Sequence, residues 1–156
     1  SHLHFDHAGG ASLFPKSELI VQQDEYAYAH YPAAFFASLY YRKNFDLPGY
    51  RWRLIEGDLE LVPGVTLLRS DGHTPGHQSL LVELPGAGPI ILAGDSCYWQ
   101  EHIDDDRVPG VVWNPTQALH SIKRLKTVAR LVKGRIFPSH DPVFWQTVKQ
   151  APDCYT

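Results

Sequence analysis

Four potential metal ligands are packed into six residues at one end of this chain. The segment SHLHFDH places His2, His4, Asp6 and His7 in the pattern H-x-H-x-D-H. In an extended backbone, positions 2, 4 and 6 share one face, and His7 then points away from Asp6. One ion can hardly collect all four side chains from so short a loop, so the spacing favours two neighbouring metal ions.

Three further candidate ligands occur downstream, next to predicted strands: His77 in G-H-T-P-G-H, Asp95 in L-A-G-D and His140 in P-S-H-D. Five imidazoles and two carboxylates suffice for two three-ligand sites and one bridging carboxylate. No cysteine is involved, whereas structural zinc usually has several thiolates. The set therefore predicts a catalytic centre. Zinc is the default ion, with cobalt, iron or manganese as possible alternatives because mixed His/carboxylate ligands select poorly among metals.

The other histidines have a simpler interpretation. Three of them are expected to be ordinary surface or core residues: His30, His102 and His120. His73 precedes His77 by four residues, but the Thr-Pro-Gly turn between them argues against one helical face, so we expect a structural or supporting role for His73. Cys97 is expected to be a small buried packing residue and not a nucleophile.

Apolar patterning predicts short strands and one long helix. Strands are expected over 18–22, 52–55, 59–62, 65–69, 78–84, 89–93 and 135–138. The helix begins at Pro115 after the N-cap Asn114 and ends at Gly134 as the C′ residue. Residues 96–114 are predicted to be an irregular acidic loop in which the aspartates 104–106 are solvated. Strands, then a helix, then a strand indicate an α/β or layered α+β fold.

Composition excludes several classes of protein. The formal charge is −3, from 14 basic and 17 acidic residues, so nothing indicates a nucleic-acid or anionic-membrane partner. No apolar run approaches the roughly 18 residues of a membrane-spanning helix. The chain has no methionine and opens at Ser1 directly into the histidine motif. We therefore expect residues 1–156 to be the C-terminal portion of a single domain in a longer protein. A cytoplasmic location is a separate expectation.

The motifs resemble those of a known family. SHLHFDH at 1–7 is similar to the signature of the metallo-β-lactamase superfamily. Six segments resemble the N-acyl-homoserine lactone lactonases, its quorum-quenching branch: SHLHFDHAGG at 1–10, IEGD at 55–58, VPGV at 62–65, HTPGHQSLL at 73–81, DSCY at 95–98 and SIKRLK at 121–126. The resemblance runs nearly the full chain. It implies an αβ/βα sandwich, here lacking the N-terminal strands that complete the first sheet.

The resemblance also implies a reaction and a division of the ligands between two zinc ions. One zinc would be held by His2, His4 and His77, and the other by Asp6, His7 and His140. Asp95 would bridge both, together with a hydroxide that attacks the lactone carbonyl carbon. Tyr98 matches the family's active-site tyrosine and would help to stabilise the oxyanion. Asp6 would pass a proton to the ring oxygen as it leaves, and the product would be an N-acyl-homoserine.

Residues 26–50 are rich in aromatic side chains and allow two interpretations. They could form core or a subunit contact, with a homodimer as one possible assembly. They could instead form an apolar wall for an acyl chain beside the metals. The candidates for that wall are Tyr28, Tyr31, Phe35 and Phe36.

Other activities use similar ligands. Glyoxalase-II-like thioester hydrolysis and β-lactam hydrolysis are the alternatives within the superfamily, but Tyr98 and the aromatic segment favour a lactone with an apolar tail. An RNA-processing nuclease fits the negative charge poorly. A catalytically silent metal-binding module is the alternative outside the enzymes, and the complete set of seven ligands speaks against it.

Overall fold

The computed structural model describes residues 1–156, which form two β-sheets with helices packed against them. Two parallel strands form the first sheet: β1 (Glu18–Gln22) and β2 (Arg51–Ile55). Five strands form the second: β3 (Leu59–Val62), β4 (Val65–Arg69), β5 (Gln78–Leu84), β6 (Gly88–Leu92) and β7 (Arg135–Phe137). They lie in the order β3-β4-β5-β6-β7, antiparallel except for the parallel pair β6–β7. The layered class expected from the sequence is confirmed.

Six helices accompany the sheets: α1 (Phe5–Ala8), α2 (Gln23–His30), α3 (Arg42–Phe45), α4 (Gln100–Asp104), α5 (Pro115–Val132) and α6 (Pro142–Trp145). Short 3₁₀ turns occur at Ala11–Leu13, Ala37–Leu39 and Gly94–Ser96. None of the helices combines the length and the apolar character that a membrane span requires.

Helix α5 begins as predicted and ends slightly differently. The side chain of Asn114 caps it by accepting a hydrogen bond from the Gln117 amide at 3.1 Å, and Pro115 occupies the first turn. At the other end, Lys133 and not Gly134 takes the left-handed conformation, with φ of 56°. Gly134 serves a different need, because a Cβ there would lie 2.7 Å from the carbonyl oxygen of Pro89. The glycine therefore permits the chain to return closely past β6.

Two hydrophobic clusters hold the layers together. The larger lies between the second sheet and α5 and contains Leu68, Leu81, Ile91, Ala93, Cys97, Ile103, Ile122, Leu125 and Ala129. Helix α5 supplies three of these residues, Ile122, Leu125 and Ala129. The smaller cluster surrounds β1 and contains Leu3, Ala8, Val21, Ala29, Tyr40 and Phe45. Each sheet therefore has its own core, and the segment with the histidine motif packs into the smaller one.

The predicted strands agree with the structure to within one residue at each end, whereas the acidic loop differs. Residues 100–104 form α4, a five-residue helix inside the segment expected to be irregular. So short a helix spans little more than one turn, and the sequence QEHID offers no apolar periodicity to detect. A hydrogen bond from the Gln100 amide to Asp141, 2.9 Å long, holds its first turn instead.

A buried amide network joins the two sheets beside the histidine motif. The Gln22 side chain at the end of β1 donates to the Gly57 carbonyl at 2.8 Å and to Gln78 Oε1 at 3.1 Å. The Gln78 amide in turn donates to the Ile20 carbonyl at 2.9 Å. Each contact satisfies a polar group that would otherwise be costly to bury. The network fixes the relative position of β1 and β5, the strands next to the segments that carry the histidines.

Candidate metal centre

The H-x-H-x-D-H segment is extended at first and then helical. His4 is the N-cap of α1, with φ −63° and ψ 156°, and the helical turn begins at Phe5. The turn carries Asp6 and His7 to the same side, where Asp6 Oδ2 lies 3.7 Å from His7 Nε2. The expectation that His7 points away from Asp6 is therefore wrong, because it assumed an extended backbone throughout. His2 and His4 lie in one cluster of potential ligands and Asp6 and His7 in another, and the division of the four between two ions stays a prediction.

Three buried imidazoles form the first group, His2, His4 and His73. His73 Nε2 lies 3.2 Å from His2 Nε2 and 3.1 Å from His4 Nδ1. The loop after β4 supplies His73, so the group combines two segments distant in sequence. Its three nitrogens converge on one point in a volume that solvent does not reach.

The protons on the outer nitrogens of these rings support a cation at that point. His73 Nδ1 lies 2.8 Å from the Val111 carbonyl, which can only accept, so Nδ1 is the protonated nitrogen and Nε2 presents a lone pair. Ser1 Oγ lies 3.2 Å from His2 Nδ1 and can accept its proton in the same way. When His2 carries its proton on Nδ1, two unprotonated nitrogens face each other at 3.2 Å. Such lone pairs repel unless a positive ion lies between them, so the donor set in this tautomer fits a metal.

The second group is more exposed and contains both carboxylates: Asp6, His7, Asp95 and His140. His140 Nε2 lies 3.1 Å from Asp95 Oδ1 and 3.9 Å from Asp6 Oδ2. Ser1 Oγ lies 3.1 Å from His7 Nδ1, which leaves His7 Nε2 to face the group. The half-exposed position makes this group the side from which a ligand can enter.

Asp95 lies between the two groups with one oxygen toward each. Its Oδ2 lies 3.3 Å from His73 Nε2 and 3.9 Å from His2 Nε2. Its Oδ1 lies 3.0 Å from His7 Nε2 and 3.1 Å from His140 Nε2. Burial raises the pKa of this carboxyl, but the hydrogen bond and charge of His7 and the charges of His73 and His140 outweigh burial and hold the pKa below its usual range. Asp95 is therefore an anion that can serve both groups.

Burial also keeps the first group in the protonation state that binds metal. Desolvation lowers the pKa of His4 from 6.5 to about 3, and His73 opposes a second positive charge there. The pKa of His2 is lowered well below its usual value, first by burial and then by neighbouring imidazoles. Burial likewise lowers the pKa of His73. Neutral imidazole is the form that coordinates metal, so these rings are ready to bind at neutral pH.

A buried carboxylate ties together the two loops that supply the first group. Glu25 Oε1 accepts a hydrogen bond from the Leu3 amide at 2.9 Å, and Oε2 accepts one from the Gly76 amide at 3.3 Å. The Tyr40 hydroxyl donates to Oε1 at 3.4 Å, and the Tyr40 ring packs edge-on against His4 with centroids 4.7 Å apart. Glu25 was not singled out by the sequence, because a single glutamate in an aromatic segment gives no signal of its own.

Backbone pairing brings Tyr98 to the second group. The Ser139 amide donates to the Cys97 carbonyl at 3.0 Å, and the His140 amide donates to the Tyr98 carbonyl at 2.9 Å. The Tyr98 ring centroid lies 5.0 Å from that of His140. Burial raises the pKa of the Tyr98 hydroxyl, and the charge of Asp95 raises it further. The phenol therefore keeps its proton and acts as a hydrogen-bond donor beside the ligands.

His77 does not join the ligands, and the structure gives its expected place to His73. His77 Nε2 accepts a hydrogen bond from the Asp95 backbone amide at 2.9 Å, and its Nδ1 lies 2.8 Å from Ser70 Oγ. Both ring nitrogens are thus occupied by the protein. The interpretation of His73 and His77 is reversed, because the spacing H-T-P-G-H shows that one of the two turns inward but not which one.

The four aromatic candidates for an acyl wall fall into two pairs. Tyr28 and Phe36 pack against the smaller core cluster, where Tyr28 contacts Tyr40. Tyr31 and Phe35 are each 86% exposed. A cavity of about 770 Å³ lies elsewhere, between α4, α5, β7 and the C-terminal segment, and contains no member of either ligand group. The wall stays a prediction for all four residues.

The remaining histidines and the buried cysteine have structural surroundings. The His102 ring accepts a hydrogen bond from the Tyr98 amide at 3.0 Å and supports the turn that leads into α4. His30 lies 2.8 Å from the Tyr26 carbonyl, and His120 is exposed on α5. Cys97 lies in the larger core cluster, and burial raises the pKa of its thiol to about 12. These surroundings match packing and supporting roles.

Comparison with known proteins identifies relatives of this chain. The profile of the Metallo-beta-lactamase superfamily matches residues 1–140. The chain is 38% identical to the N-acyl homoserine lactonase AttM of Azorhizobium caulinodans, covering 99% of the chain and 61% of that protein. It is 45% identical to the N-acyl homoserine lactonase AiiA of Bacillus thuringiensis subsp. kurstaki, covering 90% of the chain and 54% of that protein.

The fold is also similar to that of a solved lactonase structure. An N-acyl homoserine lactone hydrolase, described with N-hexanoyl-L-homoserine bound at its catalytic metal centre, superposes with a TM-score of 0.88 and 41% identity. The match covers 99% of this chain and 59% of that one. The chain thus spans about three fifths of the length of the relatives it matches. The donor set and these similarities together support the use of divalent metal.

Removal of the His73 imidazole tests the composition of the first group. We expect His73→Ala to weaken metal binding by more than the roughly 10–100-fold that loss of a supporting contact to a ligand costs. Metal content after gel filtration should fall by about one ion per chain, measured by elemental analysis. His120→Ala, on the exposed face of α5, is the matched control and should keep the wild-type content. Unchanged content in His73→Ala would remove His73 from the centre.

The buried histidines predict how the metal-free protein responds to acid. Burial lowers the pKa of four rings, those of His2, His4, His73 and His77. Below pH 6.5 these imidazoles become protonated in the unfolded chain but stay neutral in the folded chain. The free energy of unfolding should therefore fall as the pH drops. Each ring contributes up to ~1.4 kcal/mol per pH unit. Glu25, whose pKa is raised by burial, opposes this with at most one proton.

Urea unfolding of the full-length protein with a chelator present, from pH 7 to 4.5, measures this slope. The expected slope is positive throughout, with higher stability at higher pH. A flat or inverted profile would show that the cluster is not buried as described.

Proposed function

Because this chain belongs to the Metallo-beta-lactamase superfamily, we propose that it carries the metal centre of a hydrolase that opens the lactone ring of N-acyl-homoserine lactones. The observation that carries the proposal is Asp95, whose two oxygens face separate ligand groups beside a protonated Tyr98. The relatives AttM and AiiA, named as N-acyl homoserine lactonases, support the choice of substrate.

The proposed centre holds two divalent ions, with zinc as the default. The first ion is assigned to three imidazoles, those of His2, His4 and His73. The second is assigned to Asp6, His7 and His140, and Asp95 serves both. The second group is partly exposed to solvent. A catalytic metal site needs such an open side for substrate, whereas a structural site is closed by protein ligands. When bound, such ions lower the pKa of water toward about 7 and polarise a carbonyl oxygen.

The chain's own side chains supply orientation and proton transfer. Tyr98 keeps its proton at neutral pH and can donate a hydrogen bond to the negative charge that develops on the lactone carbonyl oxygen. Asp6 is exposed at the second group, within 3.9 Å of His140, and can carry a proton to the ring oxygen as it leaves. Asp95 remains anionic and keeps the two groups at a fixed separation. No covalent intermediate with the enzyme is needed.

Recognition of the acyl chain and the cellular setting belong to the same proposal. An aromatic wall of Tyr28, Tyr31, Phe35 and Phe36 would give an apolar tail a surface beside the metals. Assembly as a homodimer and a cytoplasmic location rest on the sequence alone. Light scattering and cell fractionation test them.

Ring opening can be measured directly in the full-length protein. We expect proton release on a long-chain N-acyl-homoserine lactone to disappear after chelation and to return when zinc is restored. Restoration by zinc of a reaction that the chelated protein lacks would establish a metal lactonase. If protein with two bound ions leaves the lactone intact but hydrolyses a thioester or a β-lactam, the proposed substrate is wrong. Failure on all three would favour a metal-binding module.

Tyr98→Phe separates a catalytic hydroxyl from a packing ring. We expect both metals to be retained and kcat to fall by less than the ~10²–10³ that loss of a sole oxyanion donor costs, since a metal shares the task. Tyr155→Phe is the matched control, because that hydroxyl contacts only the Lys149 amide in the C-terminal segment. An unchanged kcat in Tyr98→Phe would show that the ring only packs and that its hydroxyl has no catalytic role.

A further inference from the structure

We infer that His77 is a positioning residue that fixes the turn carrying Asp95, and that Ser70 and Ser79 hold its imidazole in the required tautomer. The inference deepens the proposed function and rests on it only in that Asp95 is taken to serve two metal ions. It concerns a residue whose side chain is fully buried and whose ring nitrogens belong to neither ligand group.

The imidazole is bonded to the start of the turn Gly94–Ser96. The Asp95 amide donates to His77 Nε2 at 2.9 Å, in a region closed to solvent. Gly94 has a φ of +54°, and a Cβ there would lie 2.7 Å from His77 Nε2. The ring therefore fills the space that any side chain at position 94 would need. The turn and the imidazole fit each other, so the backbone of Asp95 has one position.

A chain of serine hydroxyls fixes which nitrogen of His77 is protonated. Ser79 Oγ donates its proton to the Ala93 carbonyl at 2.8 Å. Ser70 Oγ, 2.8 Å from Ser79 Oγ, must then be the donor in that pair. His77 Nδ1, 2.8 Å from Ser70 Oγ, must donate in its turn. Every proton in the chain is thereby assigned, and Nε2 is left unprotonated to accept from the Asp95 amide.

The third serine closes the arrangement around the turn. Ser96 Oγ lies 3.2 Å from His77 Nδ1 and donates to the Ser70 carbonyl at 3.3 Å. The turn is thus bonded to Ser70, directly after β4, through Ser96 and to His77, directly before β5, through the Asp95 amide. All three serines are buried, so water does not compete for these contacts. Groups behind the ligands commonly orient them, and their loss typically costs ~10–100-fold in metal affinity.

Two amide substitutions of His77 separate its two nitrogens. In His77→Gln the side-chain oxygen can take the place of Nε2 and accept from the Asp95 amide. In His77→Asn the shorter amide can take the place of Nδ1 and donate to Ser70, but the Asp95 amide loses its acceptor. The readout is the rate at which the metal-loaded full-length protein releases ions to a coloured chelator, together with the absorption spectrum of the cobalt form.

We expect His77→Gln to keep both ions and to release them within about threefold of the wild-type rate. His77→Asn should bind two ions but release them ~10–100-fold faster, with a changed cobalt spectrum. Ser70→Ala leaves the contact between His77 and the Asp95 amide in place but removes the hydroxyl that fixes the tautomer of His77. Its rate of ion release should lie between the rates of the two His77 variants. This variant also allows the test if His77→Asn does not fold. Leu125→Ala, in the core beneath α5, is the control that lowers the melting temperature without accelerating release.

Loss of one ion from His77→Gln, as expected for His73→Ala, would make His77 a ligand and overturn the inference. Wild-type release from both His77→Asn and Ser70→Ala would show that the contact to Asp95 orients nothing, and so overturn it as well. Neither readout uses a lactone. The expected pattern in a protein that leaves lactones intact would contradict the proposed substrate alone.

Discussion

The structure depends on one carboxylate that faces two groups of imidazoles. Asp95 is buried, has no lysine or arginine beside it, and presents one oxygen to His73 and the other to His7 and His140. A buried anion is costly unless positive charge lies beside it, and metal cations between the two groups would supply that charge. The imidazole nitrogens of the first group face the same space, and a cation there would also offset the repulsion between their lone pairs. We therefore expect bound metal to stabilise the folded form of this region, as in other proteins whose ligands meet only in the folded state.

The scaffold meets that requirement by fixing each ligand from behind. Val111 holds the tautomer of His73, Ser1 lies against the outer nitrogens of His2 and His7, and Glu25 joins the loops that bear the first group. The ligand segments themselves have little regular structure. Hydrogen bonds to groups in other loops and in α2 hold them in place. Function is thus placed on loops, while the sheets and the helix supply stiffness.

Much of this could be predicted from the sequence, and the part that could not has a clear physical reason. The strands and α5 follow from local patterns of apolar residues, so their bounds can be predicted from the sequence. The density of candidate ligands in H-x-H-x-D-H predicts two ions. The sequence does not predict which of His73 and His77 lies in the first group, because that depends on which ring contacts His2 in the folded chain. Glu25 and the serine chain behind His77 were missed for the same reason, since their partners are distant in sequence.

The most direct test is a crystal structure of the metal-loaded full-length protein, with anomalous diffraction recorded at the absorption edge of the metal. The account predicts two anomalous peaks, one on each side of the Asp95 carboxylate. The first should be bonded to His2, His4 and His73, while His77 remains hydrogen-bonded to the Asp95 amide. A single peak, or a peak bonded to His77 in place of His73, would contradict it.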